Sequence, residues 1–208
     1  MAGPGLYPKA RARAPRVLQS DGMERRGLLT LIGAGAFALL EGGPANASTA
    51  RALTLGRLVK KSQSVLVITG VAKRSSWQTI AGARRIVTDV RVRVDDLVSG
   101  ADPSSTELVV RTLGGQVGGT GQIVEGEAEL TLGEASLTFL SQSHPDFYGV
   151  TAMGQGHYPI TAAARGRILR ANRQLPALVG GTGGPTAVET LRNRLLDEAK
   201  SLVRAEQR

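Results

Sequence analysis

Residues 86–94, Ile86-Val87-Thr88-Asp89-Val90-Arg91-Val92-Arg93-Val94, alternate without a break. Ile86, Thr88, Val90, Val92 and Val94 fall on one face, and Val87, Asp89, Arg91 and Arg93 on the other. Period 2 sets the first group against a core and the second in water, which predicts a half-buried strand. Upstream, Val65-Leu66-Val67-Ile68-Thr69-Gly70-Val71 is a β-branched apolar run and predicts a strand covered on both sides. Between the two lies KRSSWQTIAGARR, a polar stretch that reads as a connection. Downstream, Leu108–Thr112, Leu137–Leu140, Gly149–Met153 and His157–Ile160 read as further strands, with a weaker extended pair in 160–175.

Turn chemistry separates these strands at Gly100-Ala101-Asp102-Pro103, Gly133-Glu134 and Ser143-His144-Pro145-Asp146. Short strands at this spacing, with no helices between them, predict a mainly β fold: a small antiparallel barrel or sandwich. A short helix over residues 53–62 leads in, with Leu55, Leu58 and Val59 on one face and Lys60 and Lys61 in the last turn. At the other end Val188, Leu191, Leu195, Ala199 and Leu202 form an apolar stripe, predicting one amphipathic helix over 186–205. Thr186 and Glu189 stand at capping-box spacing at its start. The domain reading is an export segment over 1–47, a β-barrel domain over 48–178, a Gly-rich joint over 179–185 and the helix over 186–205.

The export reading rests on order. Arg25-Arg26 precedes the uncharged run GLLTLIGAGAFALL, residues 27–40, and then come Gly42-Gly43-Pro44 and Ala45-Asn46-Ala47. A basic start, an apolar middle and a small-x-small site form an export signal, with cleavage expected after Ala47. A helix of that run would span about 21 Å, short of a hydrocarbon core about 30 Å thick. The string ERRGLLT resembles the twin-arginine export motif, with Glu24 departing from its usual Ser/Thr and Thr30 from its frequent Lys. That resemblance implies a bacterial protein folded before it crosses, placed in the periplasm or outside the cell. Residues 1–22 are Pro/Arg/Ala-rich and precede a second methionine, so Met23 is the favoured start.

Composition narrows the chemistry. The 208 residues include no Cys and two His, which excludes disulfides, thiolate metal sites, Cys nucleophiles and a three-His zinc centre. The formal charge of +9 falls to +6 once residues 1–47 are removed. Between Asp95 and Asp146 stand nine acidic residues and one base, Arg111, while the flanks are basic. This distribution predicts a dipolar surface or mutual neutralisation of neighbouring strands.

The segments ITGVAKRSSW, RRIVTDVRVRVDDLVSG, ELVVRTLGGQVGG, LTLGEASLTFL and YGVTAMGQGHYPI together resemble an exported bacterial β-domain. Their order is similar to the OB-like barrel of netrin-type modules, which tissue inhibitors of metalloproteinases share. The resemblance implies a barrel and no catalytic motif. Those inhibitors hold a protease metal through an N-terminal Cys, and this chain has none, so that activity does not carry over.

Three functional readings remain. The first is a non-enzymatic module that binds a protein or small ligand outside the cytoplasm, without cofactor, through Trp77, Arg84, Arg85, Tyr148 and Tyr158. The second is a metal-dependent or other hydrolase using His144, Asp146 and His157; Ser143, His144 and Asp146 also hold the residue types of a triad, although neighbours in one turn poorly suit its geometry and no nucleophile elbow is present. The third is single-stranded nucleic-acid binding through the basic face around Trp77. The glycine loop Gly114–Gly121 lacks the Lys-Ser/Thr and the following helix of a phosphate cradle, so it reads as a strand connection.

Overall fold

The computed structural model describes residues 49–180 and 183–207. The expected export segment, with Arg25, Arg26 and Ala47, lies outside the described residues. In chain order the elements are β1 (Thr49–Arg51), α1 (Leu55–Lys61), β2 (Ser64–Ile80), β3 (Ala83–Gly100), β4 (Glu107–Leu113), β5 (Gly115–Val117), β6 (Thr120–Gln122), β7 (Ala135–His144), β8 (Phe147–Val150), β9 (His157–Ala163), β10 (Gly166–Leu169), β11 (Ala177–Val179), α2 (Ala187–Leu191) and α3 (Leu196–Glu206). The fold is mainly β. Among the described residues no helix is long and apolar enough to cross a membrane.

One sheet runs β10-β9-β7-β2-β3-β4-β8, and β7 also pairs with β8, so β2, β3, β4, β8 and β7 close a ring. Every neighbour in the ring is antiparallel except β4 and β8, which run parallel through two residue pairs, Val110 with Tyr148 and Arg111 with Gly149. Alternation along β2 explains why it is apolar at every position from Val65 to Ile68. Leu66 and Ile68 join Val90, Val92, Leu108, Val110, Leu130 and Leu140 inside the ring. Val65 and Val67 point the other way, into a second core with Leu137, Phe139, Tyr158 and the apolar faces of α1, α2 and α3. The strand is therefore buried on both sides. Shifts in the β2–β3 register near Asp95 and Val98 turn β3 partway, so Leu97 packs against the ring interior and Val98 against the helices.

The two helical ends are fixed locally. The Thr54 hydroxyl accepts from the Arg57 N–H at the start of α1, 3.4 Å away. At α2, Thr186 Oγ1 accepts from the Glu189 N–H at 3.1 Å and Glu189 Oε2 accepts from the Thr186 N–H at 2.8 Å, a closed capping box.

The expected single helix over 186–205 is two helices. Asn193 takes a left-handed φ of 64° between them. Its N–H donates to the Leu169 carbonyl at 2.8 Å, and the Leu169 N–H donates to the Arg194 carbonyl at 2.9 Å. The otherwise open edge of β10 takes main-chain bonds from the break, which continuous helix would not supply. Three further expectations also change. KRSSWQTIAGARR is strand on both sides of a two-residue turn, so β2 and β3 run on as one long hairpin. Ser143 and His144 end β7 and do not begin the turn. The first part of the expected joint is also strand, because β11 pairs in parallel with β1.

Candidate functional site at the open end of the ring

The long hairpin leaves the ring beyond Thr69. Up to that residue β2 is paired with β7 on one side and β3 on the other; past Gly70 it has β3 alone. Its tip is Ala81-Gly82, both with positive φ, 48° and 77°, as a tight two-residue hairpin turn requires. Cross-strand pairs put Lys73 opposite Val90, Ser75 opposite Thr88 and Trp77 opposite Ile86. Alternation then sets Lys73, Ser75, Trp77, Arg84 and Ile86 on one face, and Arg74, Gln78, Arg85 and Val87 on the other. The Arg84 guanidinium lies 4.8 Å from the centroid of the Trp77 ring, a cation–π contact.

Beneath the first face is a cleft of about 630 Å³, lined in part by Lys73, Ser75, Thr88, Gln122 and Glu127. The β5–β6 hairpin forms one wall. Gly115 sits so close that a Cβ there would come within 2.2 Å of Thr88 Oγ1 and 2.5 Å of Ser75 Oγ. Glu127 is buried, and its carboxylate accepts from the main-chain N–H of Leu113 at 3.1 Å and of Ala128 at 3.0 Å. Burial raises its pKa above the ordinary carboxyl value, against the pull of those two donors. The cleft thus offers hydroxyls, an amide, an ammonium and a carboxyl within reach of one small ligand.

A second cluster lies on the outer face at the parallel seam. Arg111 makes a paired contact with Asp89, 2.6 and 2.8 Å, and its guanidinium sits 3.9 Å from the Phe147 ring centroid. His144 stacks on Phe147 at 4.7 Å with the rings 7° apart. Phe147 thus contacts both the Arg111 guanidinium and the His144 ring. Donating these hydrogen bonds to the Asp89 carboxylate raises the Arg111 pKa.

The sequence-predicted residues separate. Trp77 and Arg84 are in contact, whereas Arg85 projects from the opposite face of the hairpin. Tyr148 packs at the edge of the ring interior and lines a hollow with Arg91, Glu107 and Asp146. Tyr158 is fully buried in the helix-side core, edge-on to Phe139 at 6.1 Å, with its hydroxyl unpartnered among the described residues and its pKa raised by burial.

The hydrolase set is not assembled. His157 pairs with Thr138 on β7, and His144 lies six residues further along that strand, roughly 20 Å at about 3.3 Å per residue. His157 is buried and burial lowers its pKa to about 4, while His144 is exposed with Nδ1 3.5 Å from Asp146 Oδ2. Among the described residues no three His, Asp or Glu side chains cluster as metal ligands would. The basic flank is partly neutralised, with Arg91 facing Glu107 at 3.6 Å and Arg93 facing Asp95 at 2.8 Å. Lys73, Arg74, Arg84 and Arg85 make no ion pair among the described residues.

Sequence reasoning passed over Glu127 and Phe147. Glu127 stands among other acids in a segment without period, so nothing set it apart. Arg111, the one base in an acidic stretch, was the available pointer to Phe147. No protein-family model, curated protein or solved structure matches the chain.

Proposed function

We propose that this chain is an exported binding module built on an OB-like barrel, and that it takes its ligand on the β2–β3 hairpin and the cleft beneath it. The OB-like reading is supported by connectivity. Taken in chain order, the ring strands lie as first, second, third, fifth and fourth, with the parallel seam between third and fifth, the arrangement of a five-stranded Greek-key barrel. The export reading is supported by Arg25-Arg26, the apolar run and the small-residue site ending at Ala47.

The observation that carries the binding reading is the hairpin itself. It holds the chain's one Trp, stacked by Arg84, and four cations with no acidic residue between Val71 and Thr88. These groups share an arm whose tip contributes nothing to either core. Residues outside both core clusters that present an aromatic and cations over a cleft suit ligand contact.

Because Trp77 is the sole Trp, its fluorescence reports on that surface. The purified chain titrated with oligosaccharides, peptides and oligonucleotides is expected to respond to one class, and Trp77→Phe to keep binding with a lost signal. Turnover of ester, peptide, glycoside or phosphate substrates by the same preparation would overturn the reading. Export is tested separately: Arg25→Lys with Arg26→Lys is expected to hold a fusion in the cytoplasm, and unchanged export would remove the twin-arginine route.

A second reading, single-stranded nucleic acid, is favoured by the Trp77–Arg84 stack alone, since a base can replace the guanidinium on the ring. It predicts affinity that falls steeply with salt. A flat salt response for a bound oligonucleotide ends it.

A further inference from the structure

The two edges of the long hairpin differ. Ile80 and Ala83 flank a two-residue turn, so they exchange both of their main-chain hydrogen bonds, and the pairs alternate from there. Trp77 and Ile86 therefore form an open pair, whose N–H and C=O groups point away from the hairpin. On the β3 side these groups are satisfied. The Ile86 N–H donates to Gln122 Oε1 at 2.9 Å, and the Ile86 carbonyl accepts from the Gly114 N–H at 2.8 Å. On the β2 side the matching groups belong to Lys73, Ser75, Trp77 and Thr79. Past Gly70 no strand pairs with that edge among the described residues.

An open edge of this length is normally guarded by charge, proline or a bulge. Here the bulge between Gly70 and Ala72 sits at the base of the arm, and the charges Lys73 and Arg74 stand beside it. The following six residues, Ser75-Ser76-Trp77-Gln78-Thr79-Ile80, carry no charge and no proline.

We propose that the edge of β2 from Lys73 to Thr79 is a strand-addition site for an extended acidic peptide segment. The inference rests on the binding-module reading and names its partner. A peptide main chain supplies the alternating donors and acceptors that the edge lacks. Acidic side chains on such a strand would meet Lys73 on one face and Arg74 on the other, with Arg84 and Arg85 one strand further in on the same two faces. A second copy of this chain is disfavoured there, because its arm carries the same four cations and no acidic residue and so offers no complementary charge. A nucleic acid would use the cations and Trp77 and leave the main-chain groups unmatched.

The test uses the intact chain and a ten-residue blocked peptide of alternating Glu and Thr. Binding is read by Trp77 fluorescence and by amide hydrogen exchange. The expected result is slowed exchange at Ser75, Trp77 and Thr79, with about tenfold weaker binding when alternate peptide nitrogens are methylated. Thr79→Pro removes an edge N–H without touching the hairpin's own ladder and is expected to weaken binding by about tenfold. Lys73→Glu with Arg74→Glu, which leaves the backbone intact, is expected to abolish it. Equal binding of the methylated peptide, or an indifferent Thr79→Pro, overturns the edge and leaves the binding-module reading standing. So does a fluorescence response to an oligonucleotide alone, or concentration-dependent self-association that protects the same amides. Silence toward every probe class overturns both.

Discussion

The base and the tip of the β2–β3 hairpin are made of the same two strands and do opposite things. At the base, Leu66, Ile68, Val90 and Val92 fill the ring, and Val65 and Val67 fill the layer under the helices. Toward the tip, Lys73, Arg74, Gln78, Thr79, Arg84 and Arg85 are exposed. The strand persists there because the partner strand and a two-residue turn hold it, with Ile86 and Val87 its only fully buried apolar side chains beyond Val90 and neither in the two core clusters. Strand formation and core formation are therefore separable in this molecule, and the surplus length of strand is available for contact.

The largest expected effect tests the base. Phe139→Ala, at a fully buried position against Tyr158, is expected to cost about 3–5 kcal/mol in denaturant unfolding. A loss below about 1 kcal/mol would mean the helix-side layer is not a core. Next comes acid. The folded-state pKa of His157 is lowered to about 4 from 6.5, because burial disfavours the charged ring. For a group depressed in this way, the stability is present above the unfolded value. It is lost as pH falls from about 6.5 to about 4, by up to about 3 kcal/mol. His157→Asn is expected to flatten that slope in thermal melts at a series of pH values, and an unchanged slope assigns it to other groups.

Smaller effects probe the ends. Thr186→Ala, which breaks the capping box at α2, is expected to lower stability by about 1 kcal/mol. At the tip, Trp77→Ala is expected to change global stability by less than about 1 kcal/mol, because the tip lies outside both cores. A larger loss would erase the contrast between base and tip. Ala81→Asn, at a left-handed φ of 48° before Gly82, is expected to slow exchange at the tip amides while leaving the global melt in place.

The same contrast explains what the sequence discloses. Val90, Val92 and Val94 were legible because a largely wet face and a dry face impose period 2, although Val87, expected in water, is fully buried. The two-sided burial of Val65–Ile68 was legible from an unbroken apolar run. The stretch from Lys73 to Arg85 was not, because no residue in it is fully buried and exposure there does not alternate between faces. Nor was the break at Asn193, whose cause is the edge of β10, some 25 residues away in the chain. For the candidate site, the cationic and aromatic character of the arm was readable around Trp77. The pairing of Trp77 with Arg84, the exile of Arg85 to the other face and the burial of Tyr158 depend on register, which composition does not encode.

The parallel seam between β4 and β8 has a mechanical consequence. Two residue pairs close the loop of strands there, against the long ladders elsewhere. Arg111, anchored by Asp89 on β3, reaches across to Phe147 on β8, and so fastens the join from outside like a clasp on a bracelet. The first breathing motion of the molecule is expected at this fastening, and unbuckling it would bring Tyr148 and Val150 to the surface while the long arm stays zipped.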